Sequence, residues 1–194
     1  MKGLALLDSP KETTKTLRAV PHFFFDRPTL TVARDLIGCY LVIKKDGKVL
    51  RYVITETEAY DGLEDLASHA SRGKTKRNEI MFRHAGYIYV YFTYGIHWML
   101  NIVTGPVGYP AAVLIRGVQT RDGTSHYNGP AKLTKALGIT GAFNGQTVSR
   151  KTGLWVEAPK SDAPRHKIKT TPRIGIDYAG PIWSQKHYRF LLAS

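Results

Sequence analysis

Two dipeptides, Asp46-Gly47 and Tyr94-Gly95, each separate a pair of β-rich runs, and they constrain this chain more tightly than any other feature. A short turn between strand-forming residues is the signature of a hairpin, because its central residues need a left-handed backbone that Asp, Asn and Gly tolerate. YLVIKKDGKVLRYVITETEAY therefore reads as two antiparallel strands. AGYIYVYFTYGIHWMLNIVTG reads as a second pair, Tyr87 to Thr93 and His97 to Val103.

Strand periodicity then sorts the side chains by face. In the second strand of the first hairpin, Leu50, Tyr52, Ile54, Glu56, Glu58 and Tyr60 share one face, and Arg51, Val53, Thr55 and Thr57 the other, provided no bulge intervenes. The two glutamates are thus expected to continue a mostly apolar face. A carboxylate there must reach a cleft, find a partner or serve a function, because lone burial costs on the order of several kcal/mol or raises its pKa. For either glutamate alone, a satisfied ion pair and a catalytic group are equally good readings. In the second hairpin Tyr87, Tyr89 and Tyr91 share a face, with Ile88, Val90 and Phe92 opposite. Tyr87 and Tyr89 are read as strand formers. Tyr94, a bulky aromatic at the tip beside a glycine, is free to insert between base steps.

Between the hairpins lies DGLEDLASHAS, which reads as a turn and a short helix carrying Asp61, Glu64, Asp65 and His69. These residue types can bind Mg²⁺ or Mn²⁺, as in a nuclease, but the spacing is unspecific. Zinc suits it less, with no second histidine at i+4 and no cysteine nearby. The following SRGKTKRN, together with Arg83, offers Arg72, Lys74, Lys76 and Arg77 to phosphates in preference to serving as a merely solvated loop.

Charge supports that preference. The 194 residues carry a formal net charge of +13, which points to a polyanionic partner, nucleic acid before an anionic membrane surface. With 43% hydrophobic residues and no linker-like stretch, one domain over residues 21–194 is expected, preceded by a basic arm over residues 1–20. Cys39 stands alone, so no internal disulfide forms and a reducing cytosol fits. MKGLALLDSPKE is too short in apolar residues for a secretory signal, and nothing approaches the roughly twenty apolar residues of a membrane span.

The remaining segments read as scaffold. RPTLTVARDLIG is a short amphipathic helix with Pro28 at its first turn and Gly38 at its stop, and Phe23 to Phe25 are expected in the core. AAVLIRGV is a buried strand with Arg116 at its polar end, and NGPAKLTKALG is a helix from Pro130 to a stop at Gly138. VEAPKSDAPRHKIKTTPRIGIDYAGP reads as irregular with one strand around Ile174, either solvated surface or part of a DNA footprint. HYRFLLA closes as a strand whose Phe190 and Leu192 suit the core.

TETEAY, DGLEDLASH, the RN and MF pairs after it, YVYFTYG, a following asparagine, VLIRG, NGPAKL and the closing RIGI, W and YRFLL together resemble the alkyladenine (3-methyladenine) DNA glycosylase family. The match runs from about Pro21 to Leu192, in the family's order. The resemblance implies an α+β fold, a single domain with a curved, mainly antiparallel β-sheet flanked by short helices. It implies Glu58 as the general base that activates water, with Arg116 near that water. Tyr60 matches one face of the base pocket, and His69 and Tyr91 the other. Asn101 matches the residue that crowds the amino group of guanine, and Tyr94 the tyrosine inserted into the minor groove.

The chemistry of the residues agrees. Cleaving an N-glycosidic bond passes through an oxocarbenium-like state, so a carboxylate must deprotonate water and stabilise positive charge on the sugar. An aromatic cage suits a cationic alkylated purine, which also leaves readily without an acid. Neutral lesions such as hypoxanthine are then the harder substrates. The expectation is a monofunctional enzyme without metal or other cofactor, acting as a monomer in the cytoplasm on double-stranded DNA containing damaged purines. The phosphate contacts fall to Arg72, Lys76 and Arg77. A metal-dependent nuclease and an RNA-binding module are the rival readings.

Overall fold

A computed structural model describes residues 17–159 and 166–193. Of the basic arm expected over residues 1–20, residues 1–16 lie outside the described residues. The strand β1 (Leu17–Ala19) follows, and then a 3₁₀ turn at His22–Phe24. Three successive phenylalanines on so tight a turn cannot all face inward. Phe25 is buried and Phe24 packs edge-on against it, while Phe23 is 73% exposed, so the expectation of a wholly buried triplet fails there. Helix α1 (Thr29–Asp35) starts after Pro28, buries Val32 and Ala33, and gives way to a left-handed Gly38 (φ 82°).

Asp46 (φ 50°) and Gly47 (φ 75°) make the expected left-handed turn between β2 (Tyr40–Lys45) and β3 (Lys48–Asp61). Tyr94 (φ 51°) and Gly95 (φ 68°) likewise turn β4 (Ile88–Thr93) into β5 (His97–Val103). Tyr87 lies just before β4, where it forms an isolated bridge to Thr147 and its carbonyl accepts the Val103 N–H at 2.8 Å. The chain continues through β6 (Ala111–Thr120), β7 (His126–Asn128), α2 (Pro130–Leu137), β8 (Leu154–Pro159), β9 (Ile168–Thr171), α3 (Gly180–Gln185) and β10 (Arg189–Leu192). Helix α2 runs from Pro130 to a left-handed Gly138, as its punctuation predicts.

The result is a single α+β domain built on one open sheet. Its strands run β1-β8-β2-β3-β6-β5-β4, with β7 beside β6, and every pairing is antiparallel. The fourteen-residue β3 organises it: its first half pairs with β2, its second half with β10, and β6 follows its other edge. Helices α1 and α2, with Leu36 just past the end of α1, bury Val32, Leu36, Leu133 and Leu137 against Leu41, Ile54, Ile88 and Ile115 on one face of the sheet. Each such side chain contributes about 1.5–3 kcal/mol on burial. No helix among the described residues is long and apolar enough to cross a membrane.

A bulge corrects the reading of β3. The ladder pairs Ile54 with Val118, then Glu56 with Gly117, then Thr57 with Ile115, so Thr55 and Arg116 are each left over on their own strand. Side-chain parity therefore flips. Ile54 lies in the helix-side core, and so does Ala59, while the hydroxyl of Thr57 donates to the Ala33 carbonyl of α1 at 2.8 Å. Glu56, Glu58 and Tyr60 accordingly face the opposite side of the sheet from Ile54, and do not continue its apolar face. Gly117 makes room for this: a Cβ there would stand 2.9 Å from Thr55 Oγ1 and 3.0 Å from Glu56 Cβ.

Two further expectations change. No helix forms in DGLEDLASHAS, because Asp65 accepts the backbone N–H groups of Asp61 and Ala67, and Ser68 accepts that of Ala70. Side chains have taken the hydrogen bonds a helix would make. The late strand lies at Ile168–Thr171, not around Ile174, whose N–H is committed to Glu58 and whose neighbour Gly175 is left-handed (φ 73°).

Candidate active site

The bulged half of β3 delivers Glu58 to the face away from α1 and α2, where it is fully buried. Its Oε2 accepts the Tyr60 hydroxyl at 2.9 Å and Nη1 of Arg116 at 3.4 Å, and its Oε1 accepts the Ile174 N–H at 2.8 Å. Arg116 makes its shorter bond elsewhere: Nε donates to Glu56 at 2.8 Å, and Arg189 Nε reaches the same oxygen at 2.6 Å. Burial pushes the pKa of Glu58 above the usual glutamate value, and Arg116, the Ile174 amide and Tyr60 offset this only in part. The nearby Glu56 adds to the rise. A carboxylate so placed is a stronger base than a solvated one. Burial, then the charge of Glu58, holds Tyr60 well above the ordinary tyrosine range, so it stays a donor.

Beside Glu58, Tyr60 forms one wall of a cavity of about 50 Å³, with His69, Tyr91, Asn101 and Tyr178 among its other walls. His69 stands nearly perpendicular to Tyr91, with ring centroids 4.5 Å apart, and its Nδ1 is 3.1 Å from the Tyr89 hydroxyl. Burial, reinforced by Arg77, lowers the pKa of His69 and favours the neutral ring. Burial also lifts Tyr91 to about 12. Asn101 is buried on β5 directly opposite Tyr89, to whose carbonyl it donates at 3.1 Å. These aromatic and polar walls leave room for water between them. Tyr178 closes its edge by donating to the Ala67 carbonyl at 3.1 Å.

Outside it lies a broader cleft of about 580 Å³, which shares Ser68, His69 and Tyr178 with the small cavity and is lined by Arg72 and Arg77. Arg72, Lys76 and Arg77 are exposed, and the Arg77 guanidinium lies 5.5 Å from the centre of the Tyr91 ring. Tyr94 at the hairpin tip is 88% exposed. The acidic residues that suggested a divalent-metal site are dispersed. Glu56 faces Arg116 and Arg189, Asp65 faces Arg173, and Asp61 accepts the Thr29 hydroxyl. No three His, Cys, Asp or Glu converge as a ligand set among the described residues.

The family model described as Methylpurine-DNA glycosylase (MPG) matches residues 23–194. The chain belongs to this family. Among its curated relatives, a protein of Myxococcus xanthus (strain DK1622) is 42% identical over 173 residues, covering 88% of each chain. One of Methanocella arvoryzae (strain DSM 22066 / NBRC 105507 / MRE50) is 46% identical over 176 residues, covering 83% of this chain and 86% of its own. One of Carboxydothermus hydrogenoformans (strain ATCC BAA-161 / DSM 6008 / Z-2901) is 42% identical over 186 residues, covering 89% and 94%. All three carry the name "Putative 3-methyladenine DNA glycosylase". Membership makes the chain a DNA repair glycosylase, a hydrolase of N-glycosyl bonds.

Of the residues singled out in the sequence, Tyr60, His69, Tyr91 and Asn101 line the cavity, and Glu58 and Arg116 meet beside it. Tyr94 and the basic residues stay outside on the surface. Sequence reasoning missed four residues that adjoin this cavity or hold the side chains around it. Asn78 is buried and donates to the carbonyls of His69 and Gly73, both at 2.9 Å, pinning the loop that bears His69. Tyr89, read as a strand former, orients His69. Ile174 acts through its backbone amide, and Tyr178 through a hydroxyl at the cavity edge. The RN and RIGI motifs were the available signals for Asn78 and Ile174. A hydrogen bond from a backbone N–H to Glu58 leaves no signal in side-chain chemistry.

Proposed function

We propose that this glycosylase extrudes alkylated purines of the 3-methyladenine type from duplex DNA and hydrolyses the N-glycosidic bond with water activated by Glu58, leaving an intact abasic site. The observation that carries this reading is a buried, basic carboxylate adjoining a pocket walled by Tyr60, His69 and Tyr91. The names of the relatives support the lesion class.

In this reading Glu58 removes a proton from water as the bond to the base breaks, and its negative charge stabilises the oxocarbenium-like sugar. The water attacks C1′, the bonding electrons leave with the purine, and a cationic base departs neutral. No acid is needed, which suits a His69 kept neutral by burial. Stacking on the pocket aromatics at ~1–3 kcal/mol each offsets the cost of extrusion. Asn101 crowds the amino group of guanine, and Tyr94 fills the gap left in the duplex. Arg72, Lys76 and Arg77 hold the phosphates.

The test is release of 3-methyladenine from a lesion duplex, with the product strand examined before and after alkaline cleavage. Base release that persists in EDTA and yields an alkali-labile but unnicked strand is expected. Loss of release in EDTA with recovery on Mg²⁺, or a borohydride-trapped protein–DNA adduct, would overturn the metal-free or monofunctional part of the reading. Tyr94→Ala is expected to reduce unstacking of a fluorescent base at the lesion site. Alanine at Arg72, Lys76 and Arg77 together should flatten the salt dependence of binding by up to about three units, at ~0.9 per phosphate contact.

A further inference from the structure

Behind the Tyr60 ring sits an ion pair that the mechanism above does not use. Arg173 and Asp65 have fully buried side chains and meet as a fork, Nη1 to Oδ2 at 2.6 Å and Nη2 to Oδ1 at 2.8 Å. Nη1 also donates to the Ala59 carbonyl at 2.8 Å, one residue past Glu58. The guanidinium carbon lies 4.8 Å from the centre of the Tyr60 ring and 5.2 Å from that of Tyr188. The residue after Arg173 is Ile174, whose N–H binds Glu58. Asp65 in turn accepts the backbone amides of Asp61, at the end of β3, and of Ala67, in the loop that leads to His69.

We propose that Arg173, fixed by Asp65, is a positioning residue for Glu58: it sets the Ile174 amide on one carboxylate oxygen and seats the ring of Tyr60, whose hydroxyl holds the other. The inference rests on Glu58 being the general base. A buried ion pair is a poor way to gain stability alone, since apolar replacements often do as well. This one also leaves the Arg173 Nε–H without a partner. What the fork does uniquely is join three segments distant in sequence, β3 at Ala59, the His69 loop at Asp65 and the 172–176 loop, in one planar arrangement. Lysine keeps the charge but not that geometry.

The consequence is visible in pH dependence. Glu58 is faced by Glu56 and Tyr60 from β3, Arg116 from β6, Tyr91 from β4, Arg189 from β10, and Arg173 and Tyr178 from the closing segment. The Arg173–Asp65 pair is neutral as a unit. Loosening it while keeping it neutral leaves the other charges in place and weakens chiefly the Ile174 amide bond, one of the contacts that stabilise ionised Glu58.

Arg173→Lys and the neutral double variant Asp65→Asn/Arg173→Gln are therefore compared with wild type in single-turnover release of 3-methyladenine from duplex DNA across pH. The expected result for both is a maximal rate about 10- to 100-fold lower and an acid limb moved up by about half to one pH unit. Lesion-duplex Kd should stay within about threefold. The inference is overturned if folded variants keep the wild-type limb, or if their rate falls only through binding. Failure of both variants to fold would also overturn it, marking the pair as purely structural. A wild type that releases no base at any pH would sink the glycosylase reading itself. An active wild type beside variants with an unmoved limb sinks this inference alone.

Discussion

Two glutamates in this protein are almost completely buried beside arginines, and their pKa values move in opposite directions. On β8, Glu157 accepts Arg51 Nε at 2.8 Å, Arg150 Nη2 at 3.0 Å and the indole N–H of Trp155 at 2.8 Å. Burial raises its pKa, but the bonds from Arg51 and Trp155 and the two arginine charges more than reverse this. Both arginines reach solvent, with side chains 38% and 63% exposed, so their own desolvation is modest. Glu58 has a single arginine at 3.4 Å, and that arginine is drawn toward Glu56. Burial therefore prevails there. The fold satisfies one carboxylate and leaves the other short of positive charge, and the second is the one beside the pocket.

The comparison breaks first on activity. Glu58→Gln should lower single-turnover excision by at least ~10²-fold with lesion binding retained, whereas Glu157→Gln should stay within about threefold. Equal losses would show that burial beside arginine, and not position, governs both. Stability should separate them next. Urea unfolding at pH 7 should show Glu157→Gln destabilised by about 1.5–3 kcal/mol, the range for hydrogen bonds to a charged group, and Glu58→Gln unharmed or more stable.

The pH dependence of those differences sharpens the contrast. A glutamate with a raised folded pKa holds its proton more tightly in the native state, so its contribution is present at acid pH and lost as pH rises through the folded value. The gain in Tm from Glu58→Gln should thus be greatest near pH 7 and fade toward pH 4. Glu157, with a lowered pKa, contributes above the ordinary glutamate value, and the penalty of Glu157→Gln should shrink as pH falls. A gain for Glu58→Gln that grows on acidification would reverse the assignment. The smallest effect expected is in Glu56→Gln. Removing that charge takes away one cause of the rise at Glu58 and frees Arg116 to serve it, so the acid limb of excision should move down by a few tenths of a pH unit.

What the sequence made legible was local. The Asp46-Gly47 turn, the Tyr94-Gly95 tip and both ends of α2 follow from backbone preferences of one or two residues and are found where expected, whereas α1 stops at Asp35, three residues before Gly38. Family motifs led to Tyr60, His69, Tyr91 and Asn101, which line one cavity, and to Glu58 and Arg116, which meet beside it. Features that depend on a distant partner stayed hidden. Parity along β3 is decided by Gly117 and Arg116 on β6, and Arg173 finds Asp65 across 108 positions. The helix expected in DGLEDLASHAS is absent because Asp65 captures nearby amides, a competition that residue type alone does not decide.

The paired bulges of β3 and β6 also tie together the lengths of two segments some sixty positions apart. Ile54 pairs with Val118 before the irregularity and Thr57 with Ile115 after it, so each strand carries one extra residue and the offsets cancel. An insertion or deletion in one strand alone would slide the rest of the ladder by one residue and set Glu58 against the wrong neighbours. Losing one residue from each would restore a regular ladder with Glu58 still facing the pocket. That face would then hold only one of Arg116 and Gly117, and only one of Thr55 and Glu56. The lengths of these two strands therefore act as one constraint: a residue removed from β3 needs a residue removed from β6 to keep Glu58 in register.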